Sequence, residues 1–468
     1  MRRRCSTSRV RDWFLRGLGW VQYLAFRSLE RQVLGLFGRR GLAPIADTLA
    51  AARAQLGRER YRRLPTIFWL DARDQALERA VRVGEASSLA LAAGFAPRTS
   101  LAISWTIYLS FVTAGLDFMS FQWDTLLLES CVHAFVIAGR KPPARGDVAL
   151  PRWLVFRLYF GSGAAKWHSR DPHWRRLTAC AHHYESQPLP TRLGWYAHHA
   201  PPWLQRVSTA LALGIEAGAP WLVLGPRRLR RAAFALVELL QAAIAATGNY
   251  GFFNVLSALL GVWVLDDCDL GARARAKVRS RPEWLALATD APLLALSARS
   301  FARRFLPRPR TARAARVERM ERALAPFCVT NQYGLFSVMT IDRPEIVIEG
   351  SNDGVEWREY ELPYKPGDPR RPPRRAAPHQ PRLDWQLWFA AKTPPPFWFV
   401  TLLRRLLEGA REVLALFEVN PFPERPPRFV RATLYDYRMT DLATRRRTGA
   451  WWTRRRIGLY FPPASLQR

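Results

Sequence analysis

Residues 101–114 read LAISWTIYLSFVTA, a run with no charge and almost no polar face. A helix that is apolar all round has to be buried, in the core of a large protein or in a membrane. Seven more apolar segments accompany it, near 13–37, 76–96, 122–139, 150–166, 205–225, 231–247 and 251–265. Together they predict an α-helical multi-span membrane bundle over residues 1–267. Several segments fall short of the roughly 20 residues of a clean span, and the first two carry charge. The N-terminus, MRRRCSTSRVRDW, leads into a run that holds Arg16, Arg27, Glu30 and Arg31 and lacks a small-residue cleavage site, so it reads as an uncleaved first span or signal anchor. If every segment spans, the basic loops at 1–11, 97–98, 140–145 and 227–231 share one side, which the positive-inside rule makes cytoplasmic.

Charge narrows the partners. Lys+Arg of 71 against Asp+Glu of 38 gives a formal net charge of +33, nearly all of it arginine, with lysine only at 141, 166, 277, 365 and 392. No nucleic-acid-reading module accompanies this charge, so nucleic acid is not expected as a partner. Arginine spread along the chain suits anchoring on anionic membrane lipids instead. The five cysteines form no CxxC pair and have no regular spacing, which indicates neither a zinc knuckle nor a disulfide framework.

Beyond 267 the pattern changes. Residues 268–326 are basic, and their one apolar run, 284–298, holds Asp290 and Pro292, so it reads as an extra span or an interfacial helix. Residues 327–468 form the predicted β-rich C-terminal domain, a jelly-roll-like sandwich with one added helix. EIVIEGS, NDG and VEWREYEL make a hairpin pattern with Val355 and Trp357 on one face, Trp357 being a candidate core ring. RFVRATLYDYRM alternates, with Val430, Ala432 and Leu434 on one face. FWFVTLLRRLLEGAREVLALF has helical periodicity with too many charges for a span, and the proline-rich stretch 363–381 reads as an extended linker or ligand loop.

The chemistry concentrates in residues 150–202. An apolar helix ends in Gly161, Ser162, Gly163, Ala164 and Ala165, small residues that let neighbouring helices approach, and then reaches Lys166. Lys166 is either a partly desolvated base or an anchor at the membrane interface. The connection that follows carries six of the eight histidines. The pairs His182-His183 and His198-His199 lie near Glu185, but adjacent histidines point apart and no HExxH occurs, so no metal and no cofactor is expected. Asp124 and Glu129 sit in an apolar helix, where unpaired carboxylates are costly; Arg157 or Arg152 is the expected partner. No Ser-His-Asp, phosphate-loop or dinucleotide motif appears.

Several strings resemble a known family. RWLVFRLYFGSGAAKW, HYESQPLP, YAHHAPPW and GNYGFFN, with SFQWDTLLLES upstream and NQYGLF, RPEIVIEGSNDGVEWREYE, KPGDPRRPP, APHQPRLDWQLWFAA and NPFP downstream, are similar in this order to the lipase maturation factor family. The resemblance covers residues 11–461. It implies a membrane protein that assists a client, a lipase or other secreted hydrolase, with its C-terminal domain outside the cytoplasm. On that reading His182, His183, Tyr184, Glu185, Trp195, Tyr196, His198, His199 and Trp203 are the candidate partner-binding residues. YFGSGAAKW also resembles the corresponding segment of vitamin K-dependent carboxylases, where a lysine serves as base, which implies a membrane enzyme using Lys166 as the alternative. A carbohydrate- or lipid-binding envelope protein is the third reading. The compact, arginine-rich form suggests a bacterial inner-membrane protein.

Overall fold

The computed structural model describes residues 6–139, 145–272, 283–306 and 312–466. All eight apolar segments are helical: α1 (Ser8–Glu30), α2 (Asp74–Ala93), α3 (Pro97–Ala114), α4 (Gln122–Ala138), α5 (Ala149–His168), α6 (Pro202–Leu222), α7 (Arg227–Thr247) and α8 (Phe253–Gly261). Neighbours pack antiparallel. Phe14 of α1 meets Trp263 just past α8, while Gly17, further along α1, faces Leu259 within it. Gly19 lets α1 touch the backbone of α2; a Cβ there would lie 2.4 Å from the Ala92 nitrogen. One end of the bundle therefore gathers the starts of α1, α3, α5 and α7, with Arg11, Arg98, Arg152 and Arg227 among its basic residues. The basic loop at 140–144 and the first five residues lie outside the described residues.

Among the described residues no helix is long and apolar enough to cross a membrane, the run at 101–114 included, which goes against the expected multi-span bundle. Their polar side chains are the reason, and these point inward. α6 buries Gln205, Thr209 and Glu216 and exposes Trp203, Leu204, Val207, Leu211 and Trp221. α4 buries Asp124, Glu129 and His133, and α5 buries Arg157 and Lys166. This is the reverse of a water-facing helix, and it is the arrangement that ionisable residues adopt inside membrane bundles. The apolar run at 284–298 belongs to α9 (Glu283–Ala302), which lies on α5 through a Trp153 indole bonded to Ser297 Oγ at 2.9 Å. α10 (Ala312–Leu324) follows, tied to α9 by Arg303 with Glu318 and Glu321. Cys268 is disulfide-bonded, which the spacing of the cysteines did not indicate, whereas Cys131, Cys180 and Cys328 are free.

The C-terminal region departs from the expected sandwich. Its described residues form one four-stranded antiparallel sheet in the order β2-β1-β3-β4, from β1 (Pro344–Ser351), β2 (Arg358–Tyr360), β3 (Phe429–Met439) and β4 (Trp452–Ala464). The β1–β2 turn is longer than the expected NDG turn and β2 starts only at Arg358, because the Asp353 carboxylate accepts the N–H groups of Val355 and Glu356 and holds both out of the ladder. Val355 is 81% exposed, and Trp357 stacks half-buried against the Arg431 guanidinium at 4.1 Å. Trp357 is therefore not a core ring, and Trp357→Ala is expected to lower stability by at most about 1 kcal/mol in thermal unfolding. In β3, Val430 and Ala432 are buried as expected, but the opposite face buries Thr433, Tyr437 and Met439 as well and Leu434 is only partly buried, so the strand, which pairs with β1 without a break, is covered on different faces along its length.

The charged helical segment is α12 (Phe397–Leu407), preceded by α11 (Arg382–Ala390). α12 lays Trp398, Phe399, Leu402, Leu403 and Leu406 inward and ends near Gly409, whose φ of +64° allows the chain to turn. One continuous apolar core joins Phe26, Tyr108 and Leu126 of the bundle to Ile346, Leu402 and Val430 of the sheet region. The proline-rich stretch is a docked connector: Asn249, from the helical region, accepts the N–H groups of Ala376 and Ala377 and donates to the Arg374 carbonyl.

Candidate functional site

The histidine-rich connection between α5 and α6 is not an open loop. It folds into short helices at Pro172–Arg175, Ala179–Ser186 and Arg192–His198, the first and last capped by Asp171 and Thr191 accepting backbone N–H groups two or three residues on. These helices rest on the far end of the sheet. Glu185 is buried and accepts from the Met439 N–H at 2.7 Å and from Arg438, with His198 4.0 Å away. Arg343, fully buried, donates to the carbonyls of Glu185, Gln187 and Pro188. Trp195 donates to the Trp451 carbonyl and packs edge-on against the Trp451 ring, and the imidazole of His199 lies 4.2 Å from the Trp195 ring. His182 packs on His173, and His183 lies 3.2 Å from the Tyr250 hydroxyl, which donates to Gln187. Tyr184 is half-buried. Only Tyr196 and Trp203, at 55% and 65% exposure, stand clear of the surface. No described group of three or more His, Cys, Asp or Glu residues is arranged to hold a metal.

Lys166 is neither at a free interface nor unengaged. It is 4% exposed, and its ammonium donates to both oxygens of Glu216 on α6, at 2.9 and 2.7 Å, and to the Leu335 carbonyl at 3.0 Å. All three donors of the ammonium are thereby engaged. The small residues before it act as expected: a Cβ at Gly163 would sit 3.1 Å from Glu216, and one at Gly161 2.9 Å from the Tyr333 carbonyl.

Leu335 belongs to a strap, residues 331–340, that has no regular secondary structure and is pinned from the helical region throughout. Glu129 accepts from Asn331 and from the Tyr333 hydroxyl, and Arg157, itself paired with Glu129 as the sequence suggested, donates to the Asn331 carbonyl. Gln122 accepts the Gly334 N–H, the Trp174 indole donates to the Phe336 carbonyl, and Asp171 accepts the Met339 N–H. Arg152, the other expected partner, bonds to the Trp263 carbonyl instead.

The strap forms one wall of an open cleft of about 470 Å³; α11 and the turn between α3 and α4 form the others. α11 is fixed in place by charge. Arg382 and Asp124, both buried, form a two-pronged ion pair at 2.8 and 2.9 Å, and the Tyr108 hydroxyl donates to the same carboxylate. Asp384 accepts the N–H groups of Tyr364 and Lys365, while burial pushes its carboxyl up to about 6. The Trp388 indole donates to the Ser186 carbonyl, which joins α11 to the histidine-rich connection.

Comparison with known proteins decides the family. A model described as the lipase maturation factor transmembrane domain matches residues 9–272, and one described as the lipase maturation factor C-terminal domain matches 329–462. Lipase maturation factor 2 of Rattus norvegicus and of Homo sapiens are each 33% identical, over 97% of this chain and 82% of the relative. Lipase maturation factor 1 of Bos taurus is 32% identical, over 97% of this chain and 88% of the relative. The chain belongs to the lipase maturation factor family. No solved structure matches it. The transmembrane-domain description marks this family member as a membrane protein.

Reading residues one by one did not assign roles to Arg343, Arg382, Gln187, Asn249 or Trp388. Each lies in or next to a string that carried the family resemblance, so a signal was present. What was missing was the partner, which in the cases of Arg343 and Arg382 lies more than 150 residues away.

Proposed function

We propose that the chain is a membrane-embedded maturation factor that holds a secreted lipase, or another secreted hydrolase, at the strap-bearing end of its bundle while the client folds or assembles. The observation that carries this reading is the use made of the buried charges: Glu129, Arg157 and Lys166 each fasten the strap that walls the cleft, and the Lys166 ammonium, with its N–H groups all engaged, presents no lone pair to accept a proton. The names of the relatives supply the client class. A partly folded client exposes apolar surface, and an open aromatic cleft, together with the exposed Tyr196 and Trp203 of the histidine-rich connection and α6, covers such surface reversibly. The remaining residues of the connection, His182, His183, Tyr184, Glu185, Trp195, His198 and His199, shape this surface from beneath.

The inward-facing charges and outward-facing apolar residues of α4 to α6 support embedding in a membrane, which on compositional grounds is the bacterial inner membrane. The arginine-rich end lies in the cytoplasm and the sheet region outside it. The disulfide at Cys268 belongs to that basic end, where a cytoplasmic thiol pair stays reduced, so we expect it open in the cell. Depleting the chain from its native host tests the function. Secreted lipase activity is expected to fall several-fold while lipase polypeptide persists, and unchanged specific activity of the secreted lipase would reject the proposal.

A further inference from the structure

The cleft has a composition that narrows what enters it. Phe121, Trp123, Trp385, Trp388 and Phe389 line it, yet in a chain of net charge +33 no described lysine, arginine or histidine does, and among the described residues its one ionisable lining group is Asp117. The nearest cations are Lys392, over the Trp388 ring and bonded to the Trp388 carbonyl, and Arg382, near the Phe121 ring but already paired with Asp124, so a carboxylate or phosphate headgroup finds no cation among the lining residues and is better served by the arginine-rich surface. The polar lining is neutral: Gln122, Gln386, Ser337 and Thr340 both donate and accept.

The strap adds a second observation. Met339 turns inward, 6% exposed, with its N–H held by Asp171, while Val338 before it is 64% exposed. The backbone N–H and C=O groups of Val338 and Thr340 make no hydrogen bond to another described residue. The wall thus offers donors and acceptors of main-chain spacing beside an aromatic floor. A monoacylglycerol brings its ester and hydroxyl groups at one end only, whereas an extended polypeptide repeats donors and acceptors at main-chain spacing, which decides between them.

We propose that the cleft is a peptide-binding groove that takes an extended apolar segment of the client, large side chains seated among the indole and phenyl rings and its main chain paired with residues 338–340 of the strap. The inference rests on the maturation reading above and names the part of the client that is held.

The test uses the full chain in lipid nanodiscs and a fluorescent, end-blocked peptide of Leu, Phe and Gly, followed by anisotropy. Val338 is 64% exposed and Phe389 43%, so Val338→Pro should leave the unfolding midpoint unchanged, and Phe389→Asp, which gives up ring contacts with Phe121, Trp385 and Trp388, should lower it only by a few degrees. Each is expected to weaken peptide binding at least tenfold, the first by placing charge on the floor, the second by removing a main-chain donor. N-methylation of the peptide's amides is expected to weaken binding at least fivefold, and a monoacylglycerol is expected not to compete. Binding that ignores both variants overturns the proposal. So does displacement by monoacylglycerol with no effect of N-methylation, which would make the cleft a neutral-lipid site. A Phe389→Asp chain that matures lipase normally overturns the groove and leaves the maturation reading intact. Depletion of the whole chain without loss of active lipase rejects the maturation reading, whatever the cleft binds.

Discussion

Lys166→Met is expected to lower stability by about 3–5 kcal/mol, because it strands Glu216 as an uncompensated charge between α5 and α6. The loss should extend to the strap, since the Leu335 carbonyl loses its donor in the same step. Thermal unfolding in detergent reads the first effect, and protease sensitivity of residues 331–340 reads the second. The decisive variant is the double replacement Lys166→Met/Glu216→Leu, which removes both charges and fills the space with apolar groups. Such replacements of buried pairs are often neutral or better, so most of the stability should return, and client maturation with it. A double variant as stable as the parent but without any function would mean that the amine itself reacts. Lys166 would then be a catalytic base, as the carboxylase resemblance implied.

Arg382→Met should be at least as damaging. It leaves Asp124 buried, with only the Tyr108 hydroxyl for company, and strips the Phe118 carbonyl of its donor, for an expected loss of about 3–5 kcal/mol. The consequence is spatial as well as energetic. Arg382 opens α11, and α11 carries Trp385, Trp388 and Phe389 into the cleft. Limited proteolysis should therefore cut the variant in the connector before α11, under conditions where the parent is intact. Asp124→Asn in the same background should recover part of the stability by removing the stranded charge. Failure of Arg382→Met to loosen α11 would show that the apolar packing around Trp385 holds the cleft without the ion pair.

Both experiments concern charges that the sequence displayed without their partners. The apolar periods located the eight helices α1 to α8, though not the helix at Ile45–Leu56, because a largely apolar helix leaves a local trace in the residues themselves. The small residues before Lys166 announced a close helix approach, and Gly163 makes it against Glu216. Glu129 found Arg157 because an unpaired carboxylate in an apolar helix needs a cation, and α4 and α5 are neighbours in the chain. The amphipathic pattern of α12 likewise survived, since one buried face is a property of eleven consecutive residues.

What the tertiary structure alone decided were the pairings across long stretches of chain. Asp124 pairs with Arg382, 258 residues on, and Lys166 bonds to Leu335 across 169 residues. Nothing local ranks such a partner above any other arginine or carbonyl, because the energy of the pair depends on burial that exists only after folding. Trp357 shows the converse. Its alternation with Val355 promised a core face, but the Asp353 side chain captured the backbone ahead of it, leaving Val355 exposed and Trp357 half-buried on Arg431. The helices are therefore legible in the residues, whereas the cleft is created where three distant segments meet.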